Sequence, residues 1–88
     1  MVDGKHVILC VHVHNRVENA TKAQEVLTEY GCYIKTRIGL HEVNSDFCAP
    51  AGVMILELFG DADHCAGLKD KLNALPGIDT QEVVFTHE

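Results

Sequence analysis

Lys5-His6-Val7-Ile8-Leu9-Cys10-Val11-His12-Val13-His14 is the stretch that decides the fold. Along an extended strand, successive side chains point to opposite faces. Parity here gives one wholly apolar set, Val7, Leu9, Val11 and Val13, and a mixed set, His6, Ile8, Cys10, His12 and His14. The apolar set requires a layer to bury it, and the next segment supplies one. Glu18–Tyr30 carries Ala20, Ala23, Leu27 and Tyr30 at i, i+3, i+7 and i+10, with Val26 alongside, which is the stripe of an amphipathic helix. Glu18 and Asn19 stand near its start as acidic and capping groups, and Gly31 is expected to stop it in the left-handed conformation.

Alternation resumes over Cys32–His41, with Ile34, Thr36, Ile38 and Leu40 expected toward the core and Tyr33, Lys35, Arg37 and His41 away from it. The same order then repeats. Gly52–Phe59 reads as a strand with Met54, Leu56 and Leu58 inward and Val53, Ile55 and Glu57 outward, and its near-continuous apolar character suits a central strand covered on both faces. Asp61 or Asp63 can cap a helix to Leu75, whose stripe is Cys65, Leu68, Leu72 and Leu75. Pro76-Gly77 ends it, and Ile78–Thr86 is the last strand. The plan is βαββαβ over residues 1–88, one α+β domain of ferredoxin-like type. It implies a four-stranded antiparallel sheet of order 4-1-3-2 with both helices on one face.

Composition narrows the function. Thirteen acidic against seven basic residues give a formal charge of −6, and no helix carries a basic stripe, which argues against direct nucleic-acid binding. The apolar share of 47% is that of a globular protein. The chain shows no signal-peptide pattern and no membrane-length apolar run, so a cytoplasmic location is expected. Cys10, Cys32, Cys48 and Cys65 include no Cys-x-x-Cys pair and read as free thiols. Cys10 is expected at an interface, Cys32 in a structural role, Cys65 in the core and Cys48 in an exposed loop shaped by Pro50 and Gly52. Glu57, outward on a central strand, requires a partner such as His6, Lys35 or Arg37.

In this topology the first and second strands run parallel, so their C-terminal ends share one edge of the sheet. His12, His14 and His41 gather there, on the open face by parity, and Cys48 lies in the following loop. Imidazole and thiolate suit a transition metal such as nickel or zinc. The third strand separates the outer two, so His12 and His41 would stand roughly 9–10 Å apart. A site shared between subunits, or one completed by Cys48, would overcome that distance, while burial of the histidines in a dimer contact is the plainer reading. Catalysis finds no support: there is no Ser-His-Asp context, and Arg16 lacks the glycines of an anion-cradling loop.

The chain resembles the regulators of the iron-only hydrogenase system, small bacterial proteins with an ACT-like ferredoxin fold. The resemblance spans nearly the whole chain. It is carried by Asn15-Arg16-Val17-Glu18, Arg37-Ile38-Gly39-Leu40, Ser45-Asp46-Phe47-Cys48-Ala49-Pro50-Ala51-Gly52 and Leu72-Asn73-Ala74-Leu75-Pro76-Gly77-Ile78. It implies a regulatory role with no reaction attached, acting through a small ligand or a protein partner; separately, Ile8, Val53 and Ile55 among polar groups on the open face point to a homodimer or higher oligomer built through that face or through sheet edges. ACT domains bind effectors where the first strand meets the first helix, which here is His14, Asn15, Arg16 and Val17. That turn has no glycine, and Arg16 is its one group suited to a carboxylate.

Overall fold

The computed structural model describes residues 1–14, 16–43 and 48–86, with only the backbone course for 16–20, 40–43 and 48–51. The elements are β1 (Lys5–Val13), α1 (Arg16–Glu29), a 3-10 turn (Gly31–Tyr33), β2 (Ile34–Val43), β3 (Cys48–Leu58), α2 (Ala62–Asn73) and β4 (Ile78–Thr86). The sheet order is β2-β3-β1-β4 with every pairing antiparallel, the ferredoxin-like arrangement anticipated above. No described helix is long and apolar enough to cross a membrane.

Parity along β1 holds. Leu9 and Val11 are fully buried, with Val7 and Val13 beside them. They pack with Leu56 and Leu58 of β3, Ala23 and Leu27 of α1, and Cys65, Leu68 and Leu72 of α2, while Val26, Tyr30, Met54 and Leu75 close the margin. Ala20 lies outside the described side chains. Asp61 caps α2, its Oδ1 accepting from the His64 backbone N–H at 2.7 Å. The two helices approach closely because Gly67 has no side chain: a Cβ there would stand 2.8 Å from Tyr30 Oη.

Three local expectations are corrected. Gly31 does not end α1 in a left-handed conformation; it opens the 3-10 turn, and the described positive-φ glycines are 4, 60 and 77. That turn takes Cys32, which is exposed, and Tyr33 out of β2. Pro50, Gly52 and Cys48 lie within β3, whose backbone pairing with β2 reaches back to Cys48 opposite Val43. Also unanticipated is the N-terminal hook, in which Val2 is buried and exchanges backbone hydrogen bonds with Lys5.

The correction with most consequence lies in β2. Ile34 pairs with Leu58 but Thr36 pairs with Glu57, so Lys35 is the extra residue of a β-bulge. One inserted residue exchanges the faces of everything that follows. Thr36 and Ile38, expected inward, pair with Glu57 and Ile55 of the open face. Arg37, expected outward, pairs with Leu56 and donates from Nη2 to Gln24 Oε1 of α1 at 2.7 Å. Bulges favour edge strands such as β2, where the ladder has one partner.

Candidate functional site

The face of the sheet opposite the helices has no covering element among the described residues. Its rows follow from the register: His6, Ile8, Cys10 and His12 on β1; Glu57, Ile55 and Val53 on β3; Phe85, Val83, Gln81 and Asp79 on β4; and Ile38 on β2. Ile38, Val83 and Phe85 are 49%, 43% and 59% exposed. Ile8, Val53 and Ile55 are half-buried, so β3 is central as expected but covered on one face alone. The bulge and the parity of β4 thus make this patch more apolar than Ile8, Val53 and Ile55 alone would.

Glu57 obtains its partners within that face, accepting from Thr36 Oγ1 at 3.1 Å and standing 4.0 Å from Lys35 Nζ. Cys10 is half-buried on the same face. Cys65 is buried on the covered side, where desolvation pushes its thiol up in pKa, so it behaves as a small hydrophobe. Its Sγ lies 3.7 Å from the Phe59 carbonyl oxygen. At the start of α2, His64 Nδ1 lies within 2.8 Å of both Asp61 carboxylate oxygens and its ring stacks on Tyr33 at 4.4 Å. The His64 backbone N–H, then its side chain, hold the Asp61 carboxyl below the usual carboxylate range.

At the C-terminal end of β1, three polar groups converge. His12 is directly opposite Asp79 in the β1–β4 ladder. His14, just past the strand, is held by its backbone N–H donating to the Gly77 carbonyl at 2.7 Å. Its Nε2 lies 3.0 Å from His12 Nδ1 and 3.0 Å from Asp79 Oδ2. The two imidazoles meet edge to face at 4.2 Å. All three ligand-type atoms fall within 4.8 Å of one another. Asp79 escaped the sequence reading because it becomes a neighbour of His12 only through strand pairing. The signal was there: the short Pro76-Gly77 turn sets Ile78 against the core, and Asp79 follows on the open face.

For the other sequence candidates only register positions or backbone course are described. His41 pairs with Gly52, which also pairs with Val13, so its register position belongs to the helix-side row rather than that of His12. Cys48 precedes Gly52 by four residues, at the start of β3, roughly 13 Å beyond the end of β1. The side chains of both lie outside the described residues. In the turn, Arg16 and Val17 open α1 with only their backbone described, and Asn15 lies outside the described residues.

No protein-family model and no curated protein matches the sequence. Solved structures do. Uncharacterized protein TM1266 from Thermotoga maritima is 24% identical over 93% of this chain and 99% of its own, with a TM-score of 0.78. CPII, a nitrogen regulatory PII-like protein from Thiomonas intermedia bound to ADP, AMP and bicarbonate, is 12% identical, covers 96% of both chains and gives a TM-score of 0.55. A formyltetrahydrofolate deformylase from Pseudomonas putida aligns to 89% of this chain at 18% identity and a TM-score of 0.53, but over only 28% of that enzyme. At these identities the likeness is one of fold, and the fold they share with this chain is the ferredoxin-like α+β sandwich of one sheet and two helices.

Proposed function

We propose that this chain is a non-enzymatic regulatory domain that assembles as a homodimer through its open sheet face and responds to a small ligand. In this it would act like the ACT-like regulators of the iron-only hydrogenase system that its motifs resemble. The observation carrying this reading is the uncovered face itself, with Ile8, Ile38, Ile55, Val83 and Phe85 in adjacent rows. A contiguous apolar patch of this kind marks an interaction surface. Four strands at ~4.8 Å spacing, each about 30 Å long, give a footprint on the order of 600 Å² per copy before side-chain relief. Doubled over two copies, that reaches the lower bound of about 1,200 Å² for a specific interface.

The ligand would enter at the rim of that face, where β1 turns into α1 at positions 14–17. The PII-like neighbour's ADP, AMP and bicarbonate make adenine nucleotides and small anions the first compounds to test. Sedimentation equilibrium across the micromolar range tests the assembly. A dimer in the native chain that becomes a folded monomer in Ile55→Lys supports the reading, and a native monomer at every concentration overturns it.

A further inference from the structure

We infer that His12, His14 and Asp79 form a binding site for a borderline divalent transition-metal ion of the zinc–nickel class, all three ligands coming from one chain. As the ligand of a regulatory domain this rests on the reading above; as a binding site it is tested separately.

The donor set selects the class. Two imidazoles and one carboxylate suit zinc, nickel or copper, whereas calcium and magnesium demand oxygen ligands. The geometry is close to what such an ion needs. With bonds of about 2.0–2.2 Å, neighbouring ligand atoms of a tetrahedral ion stand roughly 3.3 Å apart. Two of the three edges here measure 3.0 Å, and the third lies within 4.8 Å. Small side-chain rotations close that remaining edge, because His12 and Asp79 already face each other across one ladder position.

The backbone fixes all three. His12 and Asp79 sit on paired strands, and His14 is tied to Gly77. The present contacts also favour a cation. His14 Nε2 carries either one proton or one lone pair, and in either tautomer that single group must serve both contacts, while a divalent ion would accept a lone pair from each of the three groups. An exposed His–Asp pair by itself contributes little to stability, so its loss on substitution leaves the fold intact for the binding test. Three protein ligands on an accessible rim leave a fourth position for water or an effector group, the pattern of exchangeable rather than buried structural metal.

The test is calorimetric titration of untagged, chelator-stripped protein with Zn²⁺ or Ni²⁺, with visible absorption of the Co²⁺ form as a second readout. The expected result is one ion per chain. His14→Ala and Asp79→Asn should each weaken binding at least tenfold and remove the Co²⁺ bands, while His64→Ala, remote at the start of α2, changes neither. Circular dichroism of each variant checks folding, and the two substitutions on different elements keep the test open if one misfolds. Sub-stoichiometric binding, or undiminished binding in both variants, overturns the site. Ile55→Lys separates the two readings: a monomeric variant that keeps its ion supports a one-chain site, and one that loses it overturns that assignment. Metal binding by a native chain that never dimerises would leave the site standing and sink the assembly.

Discussion

The two faces of one sheet obey different rules in this protein. The helix-covered face holds the apolar core: Leu9, Val11, Leu56, Leu68 and Leu72 are each essentially inaccessible, and no described polar or charged residue is buried. The open face interleaves Ile8, Ile55, Val83 and Phe85 with Cys10, Glu57, His12 and Asp79. The first arrangement can do little beyond hold the fold together. The second leaves apolar surface exposed in the isolated chain and places His12, His14 and Asp79 together at its rim. The core and the proposed interaction surface thus lie on opposite sides of the same four strands.

The largest effect that would sharpen this contrast is on the covered side. Leu9→Ala should cost about 2–5 kcal/mol by chemical denaturation, since it removes fully buried methyl groups and leaves a cavity. Its neighbour across the parity, Ile8→Ala, should cost a monomer well under half as much. Equal losses would break the distinction between the faces. Next comes association: Ile55→Lys should shift the monomer–dimer equilibrium at least tenfold toward monomer with the circular dichroism spectrum unchanged. A dimer that tolerates this lysine uses another surface.

Ile38→Lys examines the bulge. If Lys35 has exchanged the faces, this substitution leaves monomer stability within about 0.5 kcal/mol, as at ordinary surface positions. A loss above about 2 kcal/mol would place Ile38 among buried core residues and remove the bulge. The smallest effect is at the cap. Asp61→Ala should lower the melting temperature by a few degrees through the lost hydrogen bond to the His64 N–H. Because the folded state lowers the Asp61 pKa, its contribution is fully present above the ordinary carboxylate value near 3.9. It disappears as pH falls through the lowered value. The melting difference between native and Asp61→Ala protein should therefore persist from neutral pH to about 4 and shrink only below it; a difference unchanged at pH values well below the ordinary carboxylate range would show that the Asp61 charge is not its source.

Residues acting through local periodicity were legible in the sequence. Alternation along Lys5–Val13 identified the buried valines and Leu9. Helical spacing identified Ala23, Leu27, Leu68 and Leu72, and the order of elements implied the sheet order. These signals survive because each depends on the chain's own repeat and on the cost of exposing apolar groups. The candidate site was half legible: His12 and His14 share a strand end and stand out by themselves. What completed it did not, since a strand pairing between residues 67 positions apart brings Asp79 to His12, and no local pattern records a register.

The bulge at Lys35 is the opposite case, a local event whose consequences are tertiary. Parity from Ile34 onward predicts Ile38 inward and His41 on the open face, and a single unpaired residue in β2 exchanges both positions. Sequence by itself determined which segments are strands and helices, which side of β1 is core, and that two histidines end the first strand, because those follow from periodicity and hydrophobicity. Tertiary structure alone decided which face each residue of β2 occupies and which carboxylate meets the histidines. Both depend on how one strand is set against another, and that register comes from the summed packing of the whole sheet, which no single segment contains.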